Sequence, residues 1–262
     1  MKLTNENYYS PQANMEYMSC SQFKDFLKCQ TEALDKLIGN IEEEKTDALL
    51  FGGYVDAYFS NELEQYKIDN PSMFLKNGEL KASFKNVDEV IRAFEEDQLL
   101  YEAVSGEHQV IMTGFIANVP FKIKIDSYHE GECIVDQKVM KDLSLIWNEE
   151  KHKKVDFIEN YGYDLQGAIY QEIVRQNTGL KLPFVLAVAT KEECPDKALI
   201  EIDQKYLDKA LRLVEQLAPV FQAVKEGDEK PCRCGKCPSC RRIKKLDRIV
   251  RYSEFFGKED EE

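Results

Sequence analysis

Two carboxylates and a lysine are spaced in this chain so that they could hold a divalent cation and activate a water molecule. Asp126 ends a segment in which apolar and charged residues alternate, which is the period of a half-buried strand. Asp136 and Lys138 lie two residues apart in a second apolar segment, so both side chains leave the same face of a strand. Residues 127–132, which include Gly131, predict a turn between the strands. The sequence therefore predicts a hairpin that carries a site for a hard divalent cation, with an ordinary charged surface hairpin as the alternative.

A single charge also interrupts the apolar stretch at residues 48–59. This stretch predicts a mostly buried helix in spite of Gly52 and Gly53. Asp56 is its one charged residue, and burying an unpaired carboxylate is costly. We expect Asp56 to contact a cation, a hydrogen-bond donor or water, unless it lies at an exposed edge of the helix.

Four of the eight cysteines lie in one nine-residue window near the end of the chain. Thiols this close, with Gly235 and Pro238 permitting tight turns, favour Zn²⁺ or an iron–sulfur cluster over disulfides. In one arrangement all four bind a single zinc ion, although a Cys-x-Cys step is tight; in another the tail holds no metal and its thiols stay reduced. The four residues are Cys232, Cys234, Cys237 and Cys240.

The charge balance limits the class of partner. The net charge of −13 argues against a nucleic-acid partner, but the charges are segregated. Residues 230–251 contain nine lysines or arginines and one acid, and residues 151–154 form a second basic group. Such a face can bind phosphates, although it can also be a solvated helix face. The start of the chain is too polar for a signal peptide and no apolar run approaches the roughly 20 residues of a membrane span, so we expect a cytoplasmic protein without membrane contact.

The remaining pattern predicts the elements that would position these groups. Helices and strands alternate in a way that predicts an α/β fold with a central mixed β-sheet flanked by helices. We expect residues 1–228 to form this domain and residues 229–262 to form a cysteine-rich basic tail packed on it. The expected helices cover residues 19–37, 48–59, 87–101, 157–177 and 204–224, and the expected strands cover residues 107–119, 184–190 and 198–202, besides the hairpin.

In this order, the motifs resemble the PD-(D/E)XK nuclease superfamily. More closely, they are similar to the RecB-type branch and to the phage exodeoxyribonuclease VIII (RecE-like) proteins. The resemblance runs from about residue 15 to the end of the cysteine window. It rests on Asp126, on Asp136-Gln137-Lys138, on a helix with Gln166-x-x-x-Tyr170, and on the Ser19–Cys29 and Phe51-Gly52 segments.

The resemblance implies a restriction-endonuclease-like core and a metal-dependent DNA exonuclease of phage or prophage recombination. It implies that Asp126 and Asp136 bind Mg²⁺ or Mn²⁺, with the backbone carbonyl of Gln137 as a further ligand. Lys138 would position or help to deprotonate the attacking water and offset negative charge in the transition state.

The resemblance also assigns roles outside the hairpin. Gln166 and Tyr170 would position the DNA backbone or the lysine. RecB-type nucleases usually carry a histidine ligand after the Phe-Gly pair, and here that position is Asp56. Aspartate binds a hard cation at least as well as histidine, so we interpret Asp56 as a changed ligand, with Glu107 as an alternative carboxylate. If Asp56 disabled the chemistry, the protein would be a non-catalytic DNA-binding module with the same fold.

Cys29 occupies a position that is similar to the N-terminal cysteine of RecB-type nucleases. The resemblance implies that it could join three C-terminal cysteines around a [4Fe–4S] cluster, and this arrangement stays open beside the zinc one. The resemblance further implies linear duplex DNA as substrate, a single-strand annealing protein as partner, and a ring-shaped homo-oligomer. A zinc-dependent interaction protein with no DNA role is a third interpretation.

Overall fold

A mixed β-sheet forms the centre of the protein. The computed structural model describes residues 1–41, 45–149 and 151–256, so the last six residues of the expected tail lie outside the described part. The strands are β1 (Glu107–Ile116), β2 (Val119–His129), β3 (Cys133–Met140), β4 (Ile146–Asn148), β5 (Lys153–Val155), β6 (Phe184–Thr190) and β7 (Lys197–Glu201). In the described residues, five of them form one sheet in the order β1-β2-β3-β6-β7, in which β3 and β6 are parallel and the other neighbours antiparallel. β4 and β5 form a separate small hairpin.

Helices pack on both faces of this sheet, which confirms the predicted α/β class. None of those within the described ranges is long and apolar enough to cross a membrane. The helices are α1 (Pro11–Glu16), α2 (Cys20–Lys28), α3 (Gln30–Leu37), α4 (Asp47–Phe59), α5 (Leu63–Asp69), α6 (Val87–Glu95), α7 (Gln98–Val104), α8 (Phe157–Tyr161), α9 (Tyr163–Thr178), α10 (Gln204–Glu226), α11 (Pro238–Arg242) and α12 (Tyr252–Phe256).

The central strands β3 and β6 are apolar because both of their faces are buried. Successive side chains of a strand point to opposite faces, so alternate residues enter two different cores. Ile134 and Leu186 pack in the core that includes α2, α9 and α10. Val135 and Ala187 pack in the core that includes α4, α6 and α7. The sheet thus separates two helical layers and holds β3 rigidly between them.

Three segments predicted as single helices are each divided in two. Cys29 adopts an extended conformation between α2 and α3, with φ −163° and ψ 111°. Asp97 ends the first part of the 87–101 segment and caps α7, because its side chain accepts a hydrogen bond from the amide of Leu100. Gly162 has φ +62°, a left-handed conformation that glycine adopts readily, and it separates α8 from α9.

Two regions whose residues predict no regular structure contain elements. Pro71, Asn77 and Gly78 predict loops and short pieces over residues 60–85, but this region includes the seven-residue helix α5. Residues 143–147 predict a short connection after Lys138, but the β4–β5 hairpin begins there. In this hairpin Trp147 pairs with Lys154, which belongs to the second basic group.

β2 and β3 pair over only part of their length. Their register covers three residue pairs near the turn, and the last of these is Ser127 with Val135. Asp126 and Asp136 follow immediately on the two strands, where the pairing ends. Beyond that point β3 continues to pair with β6, so the two strands that carry the predicted chemistry diverge.

The N-terminal segment pairs with the edge of β2 that β3 leaves free. The backbone amide of Met18 donates to the carbonyl of Pro120 at 2.8 Å, and the amide of Lys122 donates to the carbonyl of Met18 at 3.0 Å. Met18 is fully buried there. A segment that the sequence predicts as irregular therefore becomes part of the sheet edge.

The packing of α9 on β6 predicts opposite effects for two glycine substitutions. A Cβ at Gly167 would lie 2.6 Å from the ring of Phe184 and 2.8 Å from the side chain of Leu207, whereas a Cβ at Gly52 would meet nothing within 4 Å. We expect Gly167→Ala to lower the free energy of unfolding by about 1–3 kcal/mol through overpacking. Gly52→Ala should raise it by about 0.5–1 kcal/mol because alanine favours the helix. Urea denaturation of both variants measures the difference; equal stabilities would contradict this packing.

Candidate active site

A cleft of about 900 Å³ adjoins the point where β2 and β3 diverge. Its walls come from the sheet, from α2, α4 and α9, and from the N-terminal segment. Six of the residues predicted to form the site line it together: Asp56, Asp126, Asp136, Lys138, Gln166 and Tyr170.

Asp136 is held from two sides by Lys138 and Gln166. Lys138 Nζ lies 2.5 Å from Asp136 Oδ2, and Gln166 Nε2 donates to Asp136 Oδ1 at 2.6 Å. Lys138 Nζ also donates to the carbonyl of Gln137 at 3.3 Å. Burial alone lowers the pKa of a lysine, but the carboxylates of Asp136 and Asp126 raise the pKa of Lys138 above its usual range. Lys138 therefore carries its positive charge at neutral pH.

Asp126 faces Asp136 across the gap between the strands. Its Oδ2 accepts a hydrogen bond from the backbone amide of Gln137 at 3.0 Å. Because the β2–β3 ladder has ended, this amide finds its acceptor in a side chain. Burial raises the pKa of Asp126 well above its usual range, and the charges of Asp136 and Asp56 raise it further. The neighbouring carboxylates therefore disfavour one another's ionised forms, which favours a cation between them.

Asp56 reaches the cleft from α4, where Gln109 orients it. Gln109 Nε2 lies 3.2 Å from Asp56 Oδ1 and 3.1 Å from Oδ2. Gln109 has φ +57° and lies directly opposite Asp126 in the continuous register between β1 and β2, although the two residues do not form a ladder pair. Burial raises the pKa of Asp56, which Lys138 and Lys124 partly offset. The sequence gives no sign of Gln109, because its place opposite Asp126 depends on the register between two strands.

Two of the expected residues have other positions or contacts than the resemblance implies. Glu107 begins β1, is exposed and does not line the cleft. It pairs with Tyr128, which lies in the part of β2 that still pairs with β3. Tyr170 is 9% exposed, and its hydroxyl donates to the carbonyl of Lys124 at 2.9 Å. Tyr170 therefore holds the backbone of β2 through this hydrogen bond.

The donor set fits a hard divalent cation, which prefers oxygen ligands. Asp56, Asp126 and Asp136 line one cleft, and the carbonyl of Gln137 lies beside Lys138. Asp136 Oδ2 is buried and makes no hydrogen bond within the described residues, although the ammonium of Lys138 is close. A bound cation would share this oxygen with the ammonium of Lys138. The oxygens of the three carboxylates do not all lie within 4.8 Å of one another, so binding requires these side chains to draw together.

Tyr163 is a further residue beside the site. Its ring centroid lies 5.3 Å from Lys138 Nζ, and its hydroxyl contacts the sulfur of Met140 at 3.8 Å. Burial raises the pKa of Tyr163 to about 12, so it remains protonated. Tyr163 precedes Gln166 by three residues on α9, and this helical spacing is a signal by which the sequence could have revealed it.

The N-terminal segment forms one wall of the cleft and buries a lysine. The alternation in β2 predicts Lys122 on the polar face of a half-buried strand, and this is wrong because the side chain is 1% exposed. Lys122 Nζ donates to the carbonyl of Tyr8 and, at 2.7 Å, to Asn14 Oδ1. Burial lowers the pKa of Lys122 to about 8. The segment that covers β2 thus depends on hydrogen bonds to a buried amine.

Four thiols meet at the C-terminal end of α2. Cys29 lies at the break between α2 and α3, and its Sγ is 3.5 Å from that of Cys240 and 3.6 Å from that of Cys237. Cys234 Sγ lies 3.9 Å from that of Cys240, and all four sulfurs lie within 4.8 Å of one another. Backbone amides, first that of Cys237 and then that of Lys236, donate to Cys234 Sγ and lower its pKa to about 6. This favours the thiolate of Cys234, whereas burial raises the pKa of Cys237 to about 12, so a metal bound there would displace a proton.

Cys232, which was expected among the ligands, is not part of this group. It lies in the extended segment before the turn that carries the other three C-terminal cysteines. Its backbone amide donates to Gln30 Oε1 at 2.7 Å, and its carbonyl accepts from Thr31 Oγ1 at 2.9 Å. The thiols that meet are therefore those of Cys29, Cys234, Cys237 and Cys240. Cys232 instead connects the tail to α3 through hydrogen bonds of its backbone.

Known proteins resemble the chain over nearly its whole length. A family described as a PDDEXK-like domain of unknown function (DUF3799) matches residues 19–243, which include the cleft carboxylates and the four thiols. A crystal structure of a protein from Eubacterium rectale, provisionally assigned as an exonuclease, has 46% sequence identity and a TM-score of 0.91. The match covers 97% of this chain and 98% of that chain. No curated protein matches the chain.

The buried amine of Lys122 predicts a pH dependence of stability. Between its folded pKa of about 8 and the usual lysine value of about 10.4, the unfolded chain binds more protons at this position than the folded protein. The contribution of Lys122 to the free energy of unfolding should therefore increase as the pH rises through this window. We expect Lys122→Met to flatten the rise measured by urea denaturation between pH 7.5 and 10 (about the window given by these pKa values). Lys209→Met, on the exposed side of α10, is the control, and an unchanged slope in Lys122→Met would contradict this assignment.

Proposed function

Since the chain belongs to the PDDEXK-like family DUF3799, a member of the PD-(D/E)XK nuclease superfamily, we propose that it is a divalent-metal-dependent exonuclease that hydrolyses linear DNA. The observation that carries this proposal is the group of Asp126, Asp136 and Lys138 at the point where β2 and β3 diverge, with Asp56 in the same cleft. The relative from Eubacterium rectale, provisionally assigned as an exonuclease, supports action at DNA ends.

The proposed metal site uses oxygen donors only. Asp56, Asp126, Asp136 and the carbonyl of Gln137 would hold Mg²⁺ or Mn²⁺, which prefer such ligands. The bound metal would supply a water of lowered pKa and charge stabilisation for the phosphate. The raised pKa of Asp126 supports this role, because a cation would stabilise the carboxylate that burial disfavours.

The other side chains of the cleft orient the reacting groups and neutralise charge. Lys138 is charged and adjacent to Asp136, so it can orient the attacking water and offset the negative charge that develops on the phosphate. Gln166 fixes the orientation of Asp136, and Gln109 fixes that of Asp56. Lys24 and Lys124 also line the cleft and are available to DNA phosphates.

The alternative of a non-catalytic DNA-binding module rests on the replacement of the family histidine by Asp56. We favour catalysis, because Asp56 lines the same cleft as Asp126 and is oriented by a hydrogen bond. The similarity to RecE-like proteins supports a role in phage or prophage recombination. A single-strand annealing protein as partner and a homo-oligomeric state belong to the same proposal.

Removal of the lysine should abolish activity without loss of the fold. With Mg²⁺ present, we expect the parent protein to degrade end-labelled linear duplex DNA and to leave the same DNA intact as a closed circle. Lys138→Ala should lower the rate at least about a hundredfold, because the stabilisation of transition-state charge is lost. Lys205→Ala, whose side chain is 71% exposed on α10, is the matched control and should keep the parental rate.

Each alternative result has a defined meaning. Activity that survives in Lys138→Ala would rule out this cleft as the catalytic centre. Degradation of the closed circle would replace the exonuclease by an endonuclease. DNA binding without any cleavage in Mg²⁺ or Mn²⁺ would favour the binding module.

For the four thiols, we propose a single structural zinc ion. Four thiolates about 2.3 Å from one zinc ion place their sulfurs about 3.8 Å apart. The sulfur separations of 3.5, 3.6 and 3.9 Å agree with this arrangement. A [4Fe–4S] cluster places four iron atoms between the thiolates and needs wider separations. With four protein ligands the site has no open position, so its role is structural.

The zinc proposal predicts one zinc per chain. Elemental analysis of the purified protein should find zinc at this ratio, and the visible spectrum should lack iron–sulfur absorption. Cys29→Ser should lose the metal and lower the melting temperature, because the tail is no longer held to α3. Cys232→Ser is a closely matched control, because this cysteine lies outside the thiol group, and it should keep the metal. Iron in the metal-replete protein would overturn the choice of zinc.

A further inference from the structure

The N-terminal segment places a tyrosine pair at the catalytic cleft. Tyr8 and Tyr9 both line the cleft with Asp126 and Lys124, but their exposures differ. Tyr8 is 5% exposed and packs in the fold, whereas Tyr9 is 70% exposed. The proposed chemistry of the cleft does not use Tyr9, and the fold does not bury it.

Tyr9 is held in place although its ring is open. Its backbone carbonyl accepts from Asn14 Nδ2 at 3.3 Å, and its ring meets that of Tyr8 edge to face with centroids 4.9 Å apart. Lys124 Nζ lies 5.4 Å from the centroid of the Tyr9 ring. Lys122 fixes the carbonyl of Tyr8, so the backbone before and after the ring is anchored. A fixed ring loses little conformational entropy when a ligand packs on it.

Tyr9 lines the same cleft as the carboxylates Asp56 and Asp126. Desolvation by the surrounding protein raises the pKa of Tyr9 to about 12, and Asp126 and Asp56 add to this shift. Tyr9 thus combines an accessible ring with a place in the cleft that holds the proposed metal ligands. A planar apolar group that enters the cleft together with a phosphate would meet this ring.

We propose that Tyr9 is a stacking site for a nucleobase next to the phosphate that is cleaved, an inference that rests on the proposed nuclease function. Every base has a flat π-face, so an aromatic platform binds DNA without reading its sequence. Lys124 strengthens such a site, because its ammonium lies near the ring and is available to the adjacent phosphate. The Tyr9 platform would hold the strand in register with Asp126 and Asp136.

The proposal predicts that the ring of Tyr9, and not its hydroxyl, binds DNA. It also predicts that the ring does not contribute to the stability of the fold. Tyr9→Ala should raise KM for linear duplex DNA on the order of tenfold, with a smaller change in kcat, because stacking on one base is lost. Tyr9→Phe should behave as the parent. Thermal unfolding of both variants should match the parent, since the ring is mostly exposed. Tyr206→Ala, a 51% exposed tyrosine on α10, is the matched control and should leave KM unchanged.

A binding measurement tests stacking independently of cleavage. DNA that carries the fluorescent base 2-aminopurine at its end is mixed with parent or variant in EDTA, which prevents metal-dependent hydrolysis. We expect the parent and Tyr9→Phe to quench the fluorescence by stacking and Tyr9→Ala to lose this quenching.

The two experiments distinguish failure of this inference from failure of the proposed function. If the parent degrades DNA while Tyr9→Ala keeps the parental KM and quenching, the stacking site is overturned and the nuclease stands. If the parent cleaves no DNA, the nuclease proposal fails, and the quenching comparison alone decides whether Tyr9 binds a base. If Tyr9→Phe also shows a raised KM and no quenching, the effect belongs to the hydroxyl, and the stacking proposal is overturned.

Discussion

The early end of the pairing between β2 and β3 is the constraint on which the rest of the site depends. The strands share hydrogen bonds only as far as Ser127 and Val135, and the next residues on each strand are Asp126 and Asp136. A continued ladder would close the gap and leave no room for substrate. Because the ladder ends there, the backbone amide of Gln137 donates to the carboxylate of Asp126. Asp126 and Asp136 therefore line the same cleft.

This arrangement places buried carboxylates beside one another. Burial and mutual repulsion disfavour the ionised forms of Asp126 and Asp56, and Lys138 compensates for only part of their charge. Such an imbalance is unfavourable for the protein alone and favourable for binding a cation, which is typical of functional sites. The left-handed backbone of Gln109 has a similar character, since a non-glycine residue with positive φ inside a strand persists only where its surroundings enforce it.

Segments near both ends of the sequence support the cleft from outside the sheet. The N-terminal segment takes the edge of β2 that β3 leaves free, and it adds Tyr8 and Tyr9 to the wall. The C-terminal tail meets Cys29 at the end of α2, a helix that also lines the cleft. A metal at the thiols would thus connect residues more than two hundred positions apart and fix one wall of the site, which the short elements of the tail could not do by packing alone.

The sequence by itself determined the fold class, the order of the elements, and the positions of Asp126, Asp136, Lys138 and Gln166 on them. Alternation, helical spacing and short motifs are local properties, so they can be read without the fold. Only the tertiary structure decided that Glu107 stays outside, that Cys29 replaces Cys232 in the thiol group, and that Lys122 is buried. It also decided that Gln109 and Tyr9 join the site. These outcomes depend on where one strand stops pairing and on which distant segment covers the free edge, and neither is encoded in the local pattern of residues.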